Sequence, residues 1–144
     1  MRTPLLLILL LFATQQVWSQ TKADDILGRW LSESGKGKIE VFKSGDKYYG
    51  KIIWLKNPND EKGQPKTDRN NPDASKREHK VLGLLILKSL TFEKEEWAGG
   101  TIYDPENGKD YSCRIIKKAD GSLDIRGYIG FSLIGRSTTW KRSE

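Results

Sequence analysis

The second half of the chain alternates apolar and polar residues in short runs, which tight-turn sequences separate. Such runs cover residues 97–103, 109–117, 123–126 and 134–142. Asn107-Gly108 and Asp120-Gly121 lie between runs, and residue pairs of this kind accept the positive φ angles of hairpin turns. The tract therefore predicts an antiparallel meander, in which each strand folds back on its neighbour.

The first half continues this pattern. Strands are predicted over residues 28–33, 38–43 and 47–56, and the last of these is rich in Tyr, Ile and Trp. The apolar run 81–87 is short and stands among strands, so we interpret it as a strand that residues 90–93 extend or follow. Residues 24–27 begin with two acids and predict a short helical turn before the first strand.

Together these segments predict an all-β protein of about eight strands, because no segment carries a long helical stripe. An open meander would leave unpaired backbone groups at its edges, whereas closure removes them. We therefore expect an antiparallel up-and-down eight-stranded barrel, with a two-sheet β-sandwich as the alternative. The interior of such a barrel is filled by side chains or holds one small ligand.

One segment, residues 57–80, interrupts the meander because it contains almost no apolar residue. Loops of this length are uncommon in compact domains and tend to be functional. Its prolines oppose regular structure, and Asn71-Pro72-Asp73 is typical of a structured turn. We expect an ordered loop here.

The N-terminus has the organisation of a secretory signal peptide. Arg2 supplies a positive region, an apolar stretch covers residues 5–13, and Val17 and Ser19 fit the −3 and −1 positions of a cleavage site. The stretch is shorter than the roughly 20 apolar residues of a spanning helix. We predict a cleaved signal peptide over residues 1–19 and no transmembrane segment in the mature chain. Residues 20–144 then form one domain that is periplasmic or secreted.

The net charge of the chain excludes few classes of binding partner. Removal of Arg2 lowers the formal net charge from +6 to +5, and the surplus is spread among acidic residues. Such a surface is typical of an ordinary solvated protein and can also attract polyanionic envelope material. No nucleic-acid motif accompanies the charge, so nucleic acid is not an expected partner.

Residues that could carry chemistry are few. Cys113, the only cysteine, alternates with Tyr111 and Ile115, which predicts a small buried side chain rather than a nucleophile. His79, the only histidine, is interpreted as a solvated residue of the long loop. One histidine and one buried cysteine do not make a transition-metal site, so we expect no metal and no cofactor.

Gly28-Arg29-Trp30 opens the first predicted strand, and Arg142 lies near the end of the last. This arrangement resembles that of the calycin, or lipocalin-like, barrels, in which a Trp closes one barrel end and a basic side chain packs across its ring. The first and last strands of a closed barrel pair antiparallel, so we expect Trp30 to lie near Arg142, with Arg136 as the alternative. The resemblance implies a structural plug and not a catalytic site.

A wider set of motifs extends over essentially the whole mature chain. They are Ile53-Trp54-Leu55, Pro65, Asp68, Asn71-Pro72-Asp73, Arg77, Gly83-Leu84, Trp97, Gly99-Gly100, Ile102-Tyr103-Asp104-Pro105, Gly108-Lys109, Tyr111, Arg126-Gly127-Tyr128-Ile129-Gly130, Gly135-Arg136 and Trp140. Together they resemble the pattern of DUF2147, a family of uncharacterised exported bacterial proteins. The resemblance implies a lipocalin-type β-barrel in the periplasm or beyond, without an established reaction. At His79-Lys80 the chain departs from the pattern, which has Arg-Pro there, so an anion-binding role of that arginine is not carried over.

These observations lead us to expect a non-catalytic barrel that binds an apolar or amphipathic small molecule, such as a lipid or fatty acid. The expected mouth combines loop 57–80 with the glycine-punctuated tract 127–135, which contains apolar residues. The candidate ligand-binding residues are Trp54, Asp73, Arg77, Tyr103, Tyr128, Phe131 and Arg136.

Two alternatives remain open. The first is a filled barrel that binds an envelope protein or polymer through its loops. The barrel would be filled if six aromatic residues all point inward, namely Trp30, Trp54, Trp97, Tyr103, Tyr111 and Trp140. The second is a hydrolase, which would require a cluster such as Asp73, Arg77 and Tyr103 in one cleft, with a strongly shifted pKa.

Overall fold

A computed structural model describes residues 19–130 and 135–144 of the chain. A 3-10 turn, Ala23–Ile26, precedes eight β-strands, as the two acids at its start predict. The strands are β1 (Gly28–Leu31), β2 (Gly37–Ser44), β3 (Lys47–Leu55), β4 (Leu85–Glu93), β5 (Glu96–Asp104), β6 (Lys109–Lys117), β7 (Leu123–Tyr128) and β8 (Gly135–Ser143).

Hydrogen bonds join the strands in chain order into a closed antiparallel barrel. Each strand pairs with the next one, and β1 pairs with β8, where Trp30 lies opposite Arg142. The predicted eight-stranded up-and-down barrel is therefore confirmed, and the β-sandwich alternative is excluded.

The strand predicted over residues 81–87 is wrong for its first half. Residues 81–84 form a turn, in which the Leu84 N–H donates to the Val81 carbonyl (3.1 Å) and Gly83 adopts a φ of 92°. β4 begins only at Leu85 and then runs without a break through residues 90–93. A run of apolar residues does not reveal a positive φ at its single glycine, which is why the pattern misplaced this boundary.

The barrel has two different ends. The loop end carries the β1–β2, β3–β4, β5–β6 and β7–β8 connections, and the last of these contains residues 131–134, which lie outside the described part of the chain. The plugged end carries the short turns after β2, β4 and β6, together with the N-terminal 3-10 turn.

Two tryptophans hold the 3-10 turn against the plugged end. The indole N–H of Trp30 donates to the Ile26 carbonyl (2.8 Å), and that of Trp97 donates to the Ala23 carbonyl (2.9 Å). Both rings are fully buried. Each indole thus buries a large apolar surface while its one polar atom is satisfied, which is the arrangement a buried Trp requires.

Arg142 covers the Trp30 ring from the last strand. Its guanidinium carbon lies 3.9 Å from the ring centroid, and its two terminal nitrogens donate to the carbonyls of Leu27 and Asp25. Arg142, and not the alternative Arg136, is therefore the cation that packs on Trp30. The contact joins the first strand, the last strand and the 3-10 turn.

Side chains from all eight strands fill the barrel toward the plugged end. The buried side chains on the inner face are Trp30, Ile39, Val41, Tyr48, Ile52, Leu87, Leu90, Trp97, Cys113, Ile115, Leu123, Ile125 and Trp140. Cys113 is among them, as the alternation predicts, and burial raises the pKa of its thiol to about 12.

A β-bulge in β3 turns Trp54 to the outside. Lys38 pairs with Trp54 and Ile39 with Ile52, so Ile53 is an extra residue in the ladder. Trp54 is 41% exposed on the outer face, where the Lys38 ammonium lies 5.8 Å from its ring centroid. An inward-pointing Trp54 is therefore ruled out, because alternation from the buried Ile52 does not continue across a bulge.

Loop 57–80 is ordered, as expected, by hydrogen bonds of its own. Isolated β-bridges join Asn59 to Pro65 and Thr67 to Lys80. A 3-10 turn, Ala74–Lys76, follows Asp73, which accepts a hydrogen bond from the N–H of Ser75 (3.0 Å).

The same loop is fastened to the β5–β6 turn. The Asn70 side-chain amide donates to the carbonyls of Pro105 (3.2 Å) and Glu106 (2.9 Å). Gly108 lies so close to the loop that an added Cβ would stand 1.8 Å from the Asn70 carbonyl oxygen. The long loop therefore folds against the barrel instead of extending from it.

Candidate functional site

On strands β5 to β8, the burial of inward-facing residues decreases from the plugged end to the loop end. Trp97 and Leu123 have no exposed surface, whereas Ile102 and Tyr111 are only partly buried. The barrel is therefore filled near the plug, and its inner wall becomes accessible to solvent near the loop end.

Four positions on neighbouring strands form the inner wall there, and we call them the loop-end layer: Ile102, Tyr111, Gly127 and Arg136. Ile102 pairs with Tyr111, and Gly127 pairs with Arg136. A Cβ added to Gly127 would lie 3.3 Å from Ile102 Cγ2 and 3.4 Å from Tyr111 Cβ, so these side chains share one inner surface. The Tyr111 hydroxyl accepts a hydrogen bond from the Asn107 amide (2.8 Å), which holds its ring in place.

Arg136 is the charged member of this layer. Trp140 in the same strand is buried inside the barrel, and β8 pairs with β7 without a bulge, so Thr138 and Arg136 lie on the inner face as well. Arg136 is exposed, and within the described residues no hydrogen bond or ion pair engages its guanidinium. Among residues 19–130 and 135–144, this cation at the rim of the inner wall therefore has no partner.

Large hydrophobic side chains are also exposed at this end. Within the described residues these are Trp54 (41%), Leu82 (47%) and Ile129 (59%). Trp54 is the penultimate residue of β3, Leu82 lies just before β4, and Ile129 directly follows β7. Exposed apolar side chains at the loop end, such as Leu82 and Ile129, are available for contact with a partner.

Two pockets in the described part of the chain lie on the outer wall. One, of about 330 Å³, is lined by Arg29, Lys38, Glu40, Ile53, Trp54 and Glu144. The other, of about 310 Å³, lies beside the β4–β5 hairpin and is lined by Thr91, Glu93, Lys94, Glu96, Ala98 and Gly99. Neither pocket contains a residue of the loop-end layer.

Tyr103 lies on the outer wall and is buried beneath the long loop. Its hydroxyl donates to one carboxylate oxygen of Asp68 (2.7 Å), and the Asn71 amide donates to the other (2.7 Å). Asp68 has no exposed surface. Burial and the neighbouring Asp68 carboxylate raise the pKa of Tyr103 to about 12, so its hydroxyl remains a donor at neutral pH. The pair joins the loop to the barrel.

Asp73 and Arg77, the other members of the imagined hydrolase cluster, are exposed in the loop. Arg77 donates to the Asn71 carbonyl (2.8 Å), and hydrogen bonds from Ser75 hold the pKa of Asp73 below its ordinary value. Within the described residues, neither side chain makes a hydrogen bond or ion pair with Tyr103. The cluster that a hydrolase would require is not assembled there.

Sequence reasoning gave Asp68 no role of its own, although this residue organises the loop. It stood among the motifs that resemble the family pattern, and its spacing to Asn70 and Asp73 is only faintly like that of calcium ligands. Carboxylates are rarely buried without a cation, so composition alone does not indicate a buried Asp in a segment of 24 mostly exposed residues.

The remaining candidates are dispersed. Tyr128, the last residue of β7, follows the inward-facing Gly127 and therefore lies on the outer face, where it is partly buried. Phe131 lies outside the described residues, as do Leu133 and Ile134 of the expected mouth. Of the candidates that the structure describes, Arg136 alone lies on the inner wall.

Two general properties of the described residues bear on the site. None of their His, Cys, Asp and Glu side chains form a group of three or more that could hold a metal ion. No helix within residues 19–130 and 135–144 is long and apolar enough to cross a membrane.

Comparison with solved structures finds a protein of similar fold. The chain is similar to the protein HP1028 from the human pathogen Helicobacter pylori, which is described as belonging to the lipocalin family. The two share 25% sequence identity and a TM-score of 0.70 over 83% of each chain. Barrels of this type generally bind small molecules, and they are typically not enzymes.

Sequence comparison gives the family. No curated protein matches the chain. Residues 28–142, which include β1 to β7 and nearly all of β8, match the family described as an uncharacterized protein conserved in bacteria (DUF2147). The chain therefore belongs to the DUF2147 family, with a lipocalin-like barrel as its fold.

Proposed function

We propose that the protein is a non-catalytic binding protein that holds an amphipathic small molecule, of the lipid or fatty-acid class, at the loop end of its barrel. The observation that carries this proposal is the decrease in burial along the inner wall. Near the plug the interior is occupied by side chains, so the ligand lies in the upper barrel, with its apolar part against Ile102 and Tyr111.

Arg136 defines the polar part of the proposed ligand. A guanidinium presents several N–H donors in a planar fork, which matches a carboxylate or a phosphate. Its exposure at the rim, without a partner in the described residues, supports an anionic head group that faces the solvent.

The proposal includes export of the protein from the cytoplasm. The signal-peptide pattern of residues 1–19 supports a mature protein in the periplasm or outside the cell. There the protein would meet envelope lipids and the products of their breakdown, which are amphipathic and anionic.

A second candidate function is a filled barrel that binds an envelope protein or polymer through its loops. The exposed Leu82 and Ile129 favour it, because exposed apolar side chains at one end of a barrel also suit a macromolecular partner. The two functions differ in whether a small molecule occupies the inner wall.

Native mass spectrometry of protein purified from its own envelope tests the proposal, together with titration by dodecanoate. We expect a co-purifying species of lipid mass, and a dodecanoate affinity that Arg136→Glu weakens at least tenfold, or about 1.4 kcal/mol. Lys141→Glu is the matched control, because Lys141 lies on the outer face of β8. This substitution changes the charge by the same amount and should leave the affinity for dodecanoate unchanged. Ligand-free protein that ignores dodecanoate but captures an envelope polymer would replace the first function by the second.

A further inference from the structure

The outer groove beside Trp54 has the form of a ligand site that the loop-end proposal does not use. It lies on the outer face of β1, β2 and β3, and its volume of about 330 Å³ falls within the range of small-molecule sites. Its lining residues are Arg29, Lys38, Glu40, Ile53, Trp54 and Glu144.

The bulge at Ile53 builds the apolar floor of this groove. It brings Ile53 and Trp54 to the outer wall together, so an indole ring stands beside an aliphatic side chain. Bulges often re-aim a side chain at a functional surface. Trp54 keeps 41% of its surface exposed, which leaves ring area for a ligand even with the Lys38 ammonium 5.8 Å from the ring centroid.

The polar walls retain hydrogen-bonding capacity. Glu40 lies between Arg29 and Lys51, with nitrogen–oxygen distances of 3.6 Å to each. These contacts are ion pairs but too long for hydrogen bonds. Within the described residues the Arg29 guanidinium and the Glu40 carboxylate therefore donate and accept no hydrogen bond, and both remain available.

The formal charges of the side chains that line the groove cancel. Arg29 and Lys38 are cationic, and Glu40 and Glu144 are anionic. For an anionic or cationic ligand, the attraction of one pair is offset by the repulsion of the other, so charge on the ligand gives no net gain. The groove thus favours a neutral molecule with both donors and acceptors and with one apolar face.

We propose that this groove binds a pyranose ring of an uncharged glycan. The C–H face of the sugar lies on the Trp54 ring, whose face is electron-rich and attracts the weakly positive C–H groups. Sugar hydroxyls donate to the Glu40 carboxylate and accept from the Arg29 guanidinium, because a hydroxyl does both. The site is independent of the loop-end layer, so either can be present without the other.

Saturation-transfer NMR on the full mature chain tests this assignment, with cellotetraose, maltotetraose and chitotetraose as uncharged probes. We expect signal transfer to ring protons of at least one probe, and a loss of that signal of at least tenfold in Trp54→Ala. Tyr49→Ala is the matched control, because Tyr49 is an aromatic of β3 outside the groove and should keep the signal. Glu40→Gln provides a second test in a variant that keeps the Trp54 ring, with circular dichroism to confirm folding of each protein.

Three results would overturn the proposal. They are the absence of transfer to all three probes, a signal that Trp54→Ala leaves intact, and preferential binding of a charged tetragalacturonate. Dodecanoate binding in Trp54→Ala should equal that of the parent protein. The absence of glycan binding would therefore not contradict the loop-end proposal. Likewise, the absence of dodecanoate binding would not contradict the glycan site.

Discussion

Arg142 shows how much one side chain contributes to closing this barrel. It packs on the buried Trp30 ring and satisfies two backbone carbonyls of the N-terminal segment. The three contacts tie β8 to β1 and to the 3-10 turn, in addition to the hydrogen bonds from Trp30 and Trp97. A lysine would supply the charge without the planar fork.

We expect Arg142→Ala to lower the free energy of unfolding by about 2 kcal/mol. The change removes a cation–π contact of roughly 1 kcal/mol and leaves two carbonyls without a charged donor. Urea denaturation measures this as a lower midpoint at an unchanged slope. Arg136→Ala, on the same face of the same strand, should cost less than about 0.5 kcal/mol. Equal losses in the two variants would contradict the assigned plug.

Tyr103 also contributes to the stability of the folded state, and its contribution depends on pH. Its folded pKa of about 12 lies above the ordinary 10.0, so the folded state keeps a proton that the unfolded state releases between these values. The contribution is therefore complete below pH 10 and is lost as pH rises toward 12. At neutral pH the hydroxyl matters because it serves the buried Asp68 carboxylate.

Tyr103→Phe should lower stability at pH 7 by about 1–2 kcal/mol, since Asp68 stays buried with one donor fewer. The same variant should lose less stability between pH 10 and pH 12 than the parent does. Urea midpoints measured across this range test both statements. Tyr49→Phe serves as the control, because the Tyr49 hydroxyl makes no hydrogen bond within the described residues. A parallel alkaline decline in parent and Tyr103→Phe would refute the assignment.

The alternation of apolar and polar residues predicted correctly that some side chains point into the barrel, and it failed for others. Trp30, Cys113 and Trp140 are buried as their strand positions indicate. Trp54 and Tyr103 are the informative failures. A bulge re-aimed the first, and the second is covered by a loop distant in sequence, so neither contact is encoded in the local pattern.

The long loop is a structural element in its own right. It contains two β-bridges and a 3-10 turn, and Asp68 and Asn70 fasten it to Tyr103 and to the β5–β6 turn. Loop 57–80 therefore covers part of the outer wall. We expected the loop to form a mouth together with the tract 127–135. Its central part, around Asp68 and Asn70, instead packs on the outer wall and on the β5–β6 turn.

Gly108→Ala should release this loop. A methyl group there would meet the Asn70 carbonyl oxygen at 1.8 Å, and the φ of 72° disfavours any side chain. We expect faster tryptic cleavage at the Lys and Arg residues of loop 57–80. Gly121→Ala is matched, since Gly121 also has a positive φ of 84° in a turn but meets nothing within 4 Å. It should cost stability without exposing the loop, and equal cleavage in both variants would contradict the docking.

Strand prediction succeeded where turns carried their own signal. The boundaries around the Asn107-Gly108 and Asp120-Gly121 turns agree with the structure to within about two residues. The boundary before β4 failed, because residues 81–84 are apolar for a reason other than strand formation. Val81 and Leu84 pack on the core from the end of the loop, and periodicity does not separate these two uses of an apolar residue.

The barrel as a unit combines a sealed end with an accessible one. The plug, the filled lower interior and the partly exposed loop-end layer follow one another along the axis. Fold and family could be predicted from turn chemistry and from motifs. The extent to which side chains fill the barrel interior could not be predicted, because it depends on how thirteen inward side chains from all eight strands pack together.

The position of a bound acyl chain tests whether the ligand site lies at the loop end of the barrel. We propose two-dimensional amide NMR of the mature chain, titrated with dodecanoate. We expect shift changes at Ile102, Tyr111, Gly127 and Arg136, and unchanged signals from Trp97 and Leu123 near the plug. Shift changes centred on the plugged end, or no change at any amide up to the solubility limit of dodecanoate, would contradict it.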